Sequence, residues 1–138
     1  MLIVKWNRRK LFRRGFDSMP HFKVAPIKPM INHDDLEKID VRVGTIVLVE
    51  GVVGSDSLVE LIVDFDDRNR TILVGMKKER ENPKKIKGKQ ALFVVNMTPK
   101  KMMGQLSEGM LFDIGYLDGI KPTLTVPEYQ VPSGSPAG

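Results

Sequence analysis

The chain has 138 residues, of which 41% are hydrophobic, and its formal net charge at pH 7 is +5. This length suits one domain with a buried core, and no uncharged run approaches the roughly 18 residues that a membrane-spanning helix needs. Cysteine is absent, which excludes disulfides, thiolate catalysis and cysteine-ligated zinc and is typical of a reducing compartment. These totals predict a cytoplasmic domain without a membrane partner.

Positive charge is concentrated in two parts of the chain. Residues 1–30 contain eight Lys/Arg and one acid, whereas the remaining 108 residues contain fourteen Lys/Arg and sixteen acids. Within that remainder, residues 34–67 hold ten acids and two basic residues, and residues 77–101 hold nine Lys/Arg and two acids. A nearly neutral domain can therefore present one basic side, which is where a polyanion would bind.

The first thirty residues are predicted to be an extension that precedes the folded domain. MLIVKWNRRKLFRRGF is rich in basic residues, but its apolar run is too short for a secretory signal. The segment is typical of a basic arm, of upstream residues from an early start codon, or of a mitochondrial transit peptide. Pro26 and Pro29 predict an extended linker. We therefore divide the chain into an extension at residues 1–30 and a domain at residues 31–138.

Short elements follow the linker in chain order. HDDLEKI predicts one helical turn with Asp34 or Asp35 as its N-cap. The apolar period then changes to two, and Gly44 predicts a bulge or bend in the first strand. Five strands are predicted, at residues 41–48, 59–65, 70–76, 90–97 and 109–116.

The connections between these strands complete the predicted fold. Asp66 and Asp67 fall in a turn after the second strand. The lysine-rich connection at residues 77–89 predicts a helical turn that stops near Pro83 and Gly88. A short TLTV segment precedes an irregular C-terminal tail, PEYQVPSGSPAG. We expect a mostly β fold, a five-stranded β-barrel of the oligonucleotide/oligosaccharide-binding (OB) type with a short helical insertion and an N-terminal extension. The periodicity alone also permits an SH3-like barrel.

Residues suited to catalysis are scarce in this sequence. Both histidines, His21 and His33, precede the predicted strands, so the barrel lacks the usual general base at neutral pH and the usual imidazole metal ligands. GVVGSDS lacks the lysine of a phosphate-binding GxxxxGK[ST] loop. We therefore expect no enzymatic activity, no metal site and no cofactor.

Residues 96–110, NMTPKKMMGQLSEGM, carry the signature of a known family. The segment resembles the motif of the tRNA-binding OB domain, which occurs at the C-terminus of many methionyl-tRNA synthetases. That domain also occurs in cytokines like endothelial-monocyte-activating polypeptide II and in free-standing proteins of the CsaA group. LEKIDVRVGTIV, SDSLVELIVDF, RTILVGM and VPEYQVPSG resemble further segments of the family in order and spacing. The matching positions of the motif are Asn96, Pro99, Lys101, Gly104, Ser107, Gly109 and Met110.

The resemblance implies an RNA-binding surface. Lysines of the motif and of the 77–89 connection would meet phosphates, which supply affinity with little sequence preference. Asn96 and Ser107 would contact a ribose or base edge, and Met110 would offer an adaptable apolar surface. Glu108 stands where the family usually has glutamine, and it would add negative charge there. The predicted RNA-binding residues are Arg42, Lys77, Lys78, Lys84, Lys85, Asn96, Lys100, Lys101, Ser107 and Met110.

The resemblance also implies a function, that of a free-standing, non-catalytic tRNA-binding protein that is a homodimer. Because no aromatic residue falls within residues 94–111, we expect recognition of folded tRNA by shape and phosphate backbone, with weak base stacking. Such a protein would present tRNA to an aminoacyl-tRNA synthetase, in particular a methionyl-tRNA synthetase, or protect it. Two alternatives stay open: a CsaA-like secretion chaperone that binds unfolded or presecretory polypeptides, and an accessory synthetase subunit that acts through protein contacts.

Overall fold

Eight strands and two short helices are present in the residues that the computed structural model describes, which are 23–115 and 121–138. The predicted basic arm falls mainly on residues 1–22, outside the described residues. The helices are α1 (His33–Glu37) and a 3-10 helix (Pro83–Ile86). The strands are β1 (Val41–Gly51), β2 (Val59–Asp64), β3 (Asn69–Val74), β4 (Gln90–Val94), β5 (Lys100–Met102), β6 (Gln105–Ser107), β7 (Met110–Leu111) and β8 (Pro136–Ala137).

A capping box begins α1 and corrects the predicted N-cap. The Oδ1 atom of Asn32 accepts the N–H of Asp35 at 2.9 Å, and Asp35 Oδ2 accepts the N–H of Asn32 at 3.4 Å. Asn32 is therefore the N-cap, and the prediction of Asp34 or Asp35 is wrong. Asn32 takes the extended backbone (φ −93°, ψ 174°) that an N-cap requires, which makes Asp35 the third helical residue. Among the described residues, no helix is long and apolar enough to span a membrane.

A curled antiparallel sheet in the order β3-β2-β1-β4-β7 forms the body of the fold. β1 is long enough to pair with β4 along its first half and with β2 along its second half. A bulge between Ile46 and Leu48 lies beyond the bend that was predicted at Gly44. Gly44 is required for a different reason, because a Cβ there would collide with the side chains of Val63 and Phe65.

The core follows from the alternation of apolar residues in β2. Every second residue of this strand is fully buried, and the residues between them are half-buried. The buried members are Val59, Leu61 and Val63. Phe65 and Phe93 pack edge to face beside them, with ring centroids 5.5 Å apart. Ile86 of the 3-10 helix belongs to the same core cluster. Burial of each such side chain contributes about 1.5–3 kcal/mol to folding.

Hydrogen bonds from residues 107–108 bring the last strand of the sheet toward the first. The N–H of Glu108 donates to the carbonyl of Thr71 at 2.8 Å, and Ser107 Oγ accepts the N–H of Leu73 at 3.0 Å. β7 therefore lies beside β3 while it pairs with β4, and the sheet curls into a partial barrel. The predicted mostly β, OB-type architecture is confirmed, with the small helix between β3 and β4.

Several element boundaries differ from the predictions. The 3-10 helix begins at Pro83, and Asn82 caps it by accepting the N–H of Lys84 at Oδ1. The helical turn was expected to end near Pro83, but this proline is its first residue. The fifth predicted strand is two residues long as β7. The segment between the fourth and fifth predicted strands, for which no strand was predicted, contains the hairpin of β5 and β6. The TLTV segment contributes the β-bridge between Thr123 and Ile114.

The C-terminal tail is irregular, as predicted, up to the two-residue strand β8, but hydrogen bonds hold it in place. The side-chain amide of Gln90 donates to the carbonyl of Val131 at 2.7 Å and accepts the N–H of Val131 at 3.0 Å. Gly134 donates its N–H to Val43 at 2.7 Å, and β8 pairs with the first two residues of β1. Gly134 has a φ of +86°, and a Cβ there would collide with the carbonyl oxygen of Phe65. The tail therefore extends the sheet along the first half of β1.

Candidate nucleic-acid interface

The segment that carries the family signature folds as a hairpin with two exposed lysines. β5 pairs with β6 in a register that places Lys100 opposite Ser107. Met103 and Gly104 form the turn with φ values of 49° and 79°, the combination of a type I′ hairpin turn. Lys100 and Lys101 are exposed, and neither amino group has an ion pair or hydrogen bond within the described residues. The hairpin therefore presents two available positive charges on a defined strand.

Ser107 anchors the base of this hairpin to the sheet. Its side chain is 5% exposed, and its Oγ accepts the N–H of Leu73 while donating to the carbonyl of Gly109 at 3.1 Å. A hydroxyl has one proton to donate, and Ser107 already uses it. Contact between Ser107 and a ribose therefore stays a prediction that would require this bond to be exchanged. Met110, in contrast, is exposed in β7.

Asn96 joins the end of β4 to the connection between α1 and β1. Its Oδ1 accepts the N–H of Asp40 at 2.9 Å, and its Nδ2 donates to the carbonyl of Lys38 at 2.7 Å. Both ends of the amide are engaged, although one N–H and one lone pair stay available on the exposed side chain. Asn96 therefore has a structural role in addition to its predicted contact with RNA.

Two lysines predicted in the 77–89 connection already have protein partners. Lys77 Nζ donates to the carbonyl of Ser55 at 3.0 Å. Lys84 Nζ lies 3.7 Å from Glu50 Oε2, and both side chains of this pair are well exposed. A solvent-exposed pair of this kind contributes little and can exchange with a phosphate.

Other lysines of the same connection are exposed and available. Lys78 and Lys85, both predicted, have no hydrogen bond or ion pair in the part of the chain that the structure describes. The same is true of Lys87 and Lys89, which sequence reasoning left out of the site. Both lie in the same lysine-rich run as Lys84 and Lys85, and this position in the sequence could have placed them among the predicted RNA-binding residues. The connection therefore carries more available positive charge than was predicted.

The hairpin and the 77–89 connection meet at the loop between β1 and β2, residues 52–58. Met103 Cε, at the hairpin turn, lies 3.7 Å from the position of a Cβ on Gly54. Lys77 reaches the same loop through its bond to Ser55. The two basic segments therefore both contact this loop, at Gly54 and Ser55, and sequence distance alone would not have placed them together.

The outer face of the β1–β2 pair is acidic and apolar, in contrast to the basic hairpin and the basic 77–89 connection. Glu50 lies directly opposite Glu60, and Leu48 lies opposite Ile62 in the next outward pair. OB folds commonly bind oligonucleotides on the face of their second and third strands. The β1–β2 face shares β2 with that surface, and its acidic and apolar side chains disfavour a polyanion there. The basic hairpin and connection are therefore the better surface for RNA.

Arg42 lies in a different place, a cavity of about 200 Å³ with balanced charges. Its Nε and Nη2 donate to the two carboxylate oxygens of Asp40 at 2.7 and 3.1 Å, and its Nη1 donates to the carbonyl of Gly134 at 3.3 Å. The hydrogen bond from Arg42 lowers the pKa of the Asp40 carboxyl against the opposing effect of burial. The predicted contact of Arg42 with RNA would therefore require this pair to open.

Arg70 shares that cavity and was not singled out from the sequence. Its Nη2 donates to Asp67 Oδ2 at 3.2 Å, and its Nη1 donates to the carbonyl of Val95 at 3.1 Å. The guanidinium carbon lies 5.3 Å from the centroid of the Phe65 ring, a cation–π contact. The backbone N–H of Arg68, and then Arg70, lower the pKa of Asp67. These contacts make Arg70 part of the framework, since it links β3 to β4.

Glu108 does not add an unpaired negative charge beside the hairpin. Its Oε1 accepts a hydrogen bond from Arg68 at 3.1 Å, and its Oε2 accepts the N–H of Thr71 at 3.2 Å. The charge that replaces the family's glutamine is therefore compensated by an arginine 40 positions away. Across residues 23–115 and 121–138, no three His, Asp or Glu side chains are grouped to hold a metal ion.

Comparisons with known proteins also indicate a domain that binds RNA. The family described as a putative tRNA binding domain matches residues 41–136. The chain is 36% identical over 115 residues to the methionine–tRNA ligase of Parabacteroides distasonis, which covers 83% of the chain. It is 38% identical over 114 residues to the ligase of Clostridium acetobutylicum, which covers 82% of the chain. The chain spans 17% of the length of each ligase.

Two solved structures share the fold over their whole length. The MetRS related protein from Pyrococcus horikoshii is 33% identical and superposes with a TM-score of 0.74 over 80% of this chain and 100% of its own. The chaperone CsaA from Bacillus anthracis is 27% identical and has a TM-score of 0.69 with the same coverage of each chain. The likeness therefore extends over the sheet, the hairpin and the C-terminal return.

Proposed function

This chain belongs to the putative tRNA-binding domain family, and from that premise we propose that it is a non-catalytic protein that binds folded tRNA through the phosphate backbone. The observation that carries the proposal is the set of exposed lysines on the β5–β6 hairpin and on the 77–89 connection. Because methionine–tRNA ligases carry a related segment, we further propose that the bound tRNA is held for a methionyl-tRNA synthetase.

The arrangement of charge supports contact with phosphates. Lysines contribute as point charges that neutralise phosphate without requiring one base sequence. The hairpin and the connection both contact the loop at residues 52–58, so a polyanion that binds beside this loop would meet lysines of both segments. On the outer face of β1 and β2, Glu50 is already paired with Lys84 of the connection, so Glu60 supplies the remaining negative charge that would limit the polyanion's orientation.

The test is a binding titration of the full chain with three ligands: tRNA, an unstructured RNA of equal length and an unfolded polypeptide. If about five phosphates are neutralised, log K for tRNA should fall with log salt at a slope near −4. We expect tRNA to bind more tightly than the unstructured RNA, since the proposed surface recognises shape. Affinity for tRNA that does not depend on salt, or no tRNA binding at low salt, would contradict the proposal.

A second candidate function is binding of unfolded polypeptides, and one specific observation favours it. The outer face of β1 and β2 combines the apolar pair Leu48–Ile62 with the acidic pair Glu50–Glu60, which suits a basic and apolar peptide segment. The likeness to the CsaA chaperone structure agrees with that reading. The same titration separates the two candidates, because Leu48→Lys should weaken binding of the polypeptide and leave binding of tRNA unchanged or stronger.

A further inference from the structure

A cleft lies at the C-terminal end of the 77–89 connection, and it shares only Lys89 with the basic surface described above. Residues 88–90 form one wall, residues 126–130 form the other, and the cleft holds about 320 Å³. Gln90 fixes the distance between the walls, since its side chain makes two hydrogen bonds to Val131 and donates a third to Thr45 Oγ1 at 3.1 Å. The cleft, named here the Tyr129 cleft, is therefore preformed.

An aromatic ring in this cleft is turned to solvent. Tyr129 is 73% exposed, and its hydroxyl makes no hydrogen bond to any residue that the structure describes. The other described aromatic residues differ, because Phe65 and Phe93 are buried in the core and Phe112 is only about half exposed. An exposed ring without a protein partner offers its face for stacking.

The charge and polarity around Tyr129 suit a nucleotide. Lys89 lines the cleft, is exposed and has no ion pair within the described ranges. Lys87 is two positions earlier in the same lysine-rich connection and is also exposed. Gln130 lines the cleft with a side-chain amide that can both donate and accept. The acid nearest in sequence, Glu128, is exposed but is not among the residues that line the cleft.

We propose that the Tyr129 cleft binds one unpaired nucleotide of the RNA. The base stacks on the Tyr129 ring, the Gln130 amide reaches the base edge, and Lys89 meets the adjoining phosphate. The volume of the cleft is at the lower end of that of small-molecule sites and suits a single base with its ribose. The inference rests on the proposed function and adds to it a contact that requires a single-stranded position in the ligand. The expectation of weak stacking rested on residues 94–111, which do not include Tyr129.

The first test compares Tyr129→Ala with Tyr129→Phe for two ligands, tRNA and a blunt-ended RNA duplex. Loss of a base–aromatic stack should weaken tRNA binding by roughly tenfold, whereas Tyr129→Phe, which keeps the ring, should bind as the wild type does. The duplex has no unpaired base, so Tyr129→Ala should bind it as the wild type does. Equal losses for tRNA and duplex, or no loss for tRNA, would overturn the proposal.

A second test does not depend on tRNA binding at all. A single-stranded RNA tetranucleotide should shift the backbone amide resonances of residues 88–90, 126 and 128–130 in the wild-type protein. Lys89→Gln should reduce the magnitude of the salt slope of that binding by about one unit. Absence of these shifts overturns the proposal even if the lysine hairpin binds tRNA. If the shifts are present but tRNA does not bind, the proposed function fails while the nucleotide site stands.

A third measurement addresses the other possible occupant of the cleft, a second copy of the chain. Light scattering of Tyr129→Ala should give the same mass as the wild-type protein. A lower mass for this variant would identify the cleft as a protein–protein interface and would overturn the nucleotide assignment.

Discussion

At the scale of single residues, two side chains of the family signature make hydrogen bonds that hold the fold together. Ser107 holds the hairpin to β3, and Asn96 holds the start of β1 to the end of β4. A residue can therefore appear in a functional motif because it positions the binding surface. The distinction has a measurable consequence, since a positioning residue affects stability and affinity together, whereas a lysine at the surface affects affinity alone.

Replacing Asn96 with alanine tests this distinction. Asn96→Ala loses the hydrogen bonds to Asp40 and Lys38, and we expect the free energy of unfolding to fall by about 1–2 kcal/mol. The affinity for tRNA should also fall, with little change in the salt slope, because the lost group is neutral. Asn96→Asp keeps the acceptor for the Asp40 N–H but sets a carboxylate oxygen against the carbonyl of Lys38, so it should lose at least as much stability as the alanine variant. Denaturant unfolding and a salt titration on the same samples give both quantities.

A second prediction at this scale concerns how the stability of the fold changes as the pH falls. The pKa values of Asp40 and Asp67 are lowered in the folded protein, first by Arg42 for Asp40 and by the Arg68 N–H for Asp67. A lowered pKa stabilises the fold above the unfolded value, and that stability is lost as the pH falls through the folded value. We therefore expect the melting temperature to fall below about pH 4.

Asp40→Asn provides the control for that prediction. The variant should show a shallower fall in melting temperature over the same range, since one of the two carboxylates with a lowered pKa is removed. Asp113 acts in the opposite direction, because burial raises its pKa and the folded state then loses stability as the pH rises. A wild-type melting temperature that rises on acidification would show that Asp113 outweighs the two ion pairs.

At the scale of elements, the β5–β6 hairpin turns a lysine-rich stretch into a surface with fixed geometry. Its turn takes two positive φ values, and its base is pinned to β3 by Ser107. The exposed side chains of β5 can therefore change without disturbing the core. The same is true of the 77–89 connection, where Ile86 is the buried anchor and the lysines around it are exposed.

Charge reversal on the hairpin tests whether this element binds RNA. Lys100→Glu/Lys101→Glu should change the free energy of unfolding by only about 0.5 kcal/mol, because both side chains are exposed. Affinity should fall for every tRNA sequence. The slope of log K against log salt should become shallower by about one unit for each lost phosphate contact. Lys100→Gln/Lys101→Gln is the matched control, since it removes the contacts without adding repulsion. Unchanged affinity in a folded Glu variant would refute the assignment and favour the polypeptide-binding candidate.

At the scale of the whole molecule, the segment before β1 leaves large apolar side chains exposed. Ile27 and Met30 are each 90% exposed, and Leu36 and Ile39 are also exposed. None of the residues of α1 is buried. Exposed apolar side chains of this size suit an interface with another protein. We therefore propose that the protein is a homodimer and that this stretch contributes to the interface. Two subunits would offer two RNA surfaces to one large ligand and raise avidity.

Light scattering tests the dimer directly. The wild-type protein at micromolar concentration should have about twice the chain mass of 15.6 kDa. Leu36→Lys should reduce the mass to that of one chain without unfolding it, because the side chain is exposed within its own subunit. Circular dichroism confirms that the variant is folded. A wild-type mass of 15.6 kDa would sink the proposal.

The sequence by itself determined much of the fold and the general chemistry of this protein. The alternation of Val59, Leu61 and Val63 predicted β2, and the structure confirms it. The lack of histidine in the strands and the run of lysines at residues 77–89 indicated a binding protein for a polyanion. These features are local, since the direction of a side chain along a strand and the charge of a segment depend on neighbours in the chain.

Only the tertiary structure decided which of the predicted groups are available. Asn96 bonds a backbone group 56 positions away, Gln90 holds a tail 41 positions away, and Lys84 approaches Glu50 from another element. Partners so far apart in sequence are brought within 3 to 4 Å by the curl of the sheet, and no periodicity in the chain encodes that distance. The N-cap of α1 was missed for a different, local reason, because Asn32 and Asp35 are three residues apart and form a capping box that the sequence itself carries. The sequence therefore supplied the charges, and the fold decided which of them are exposed without a protein partner.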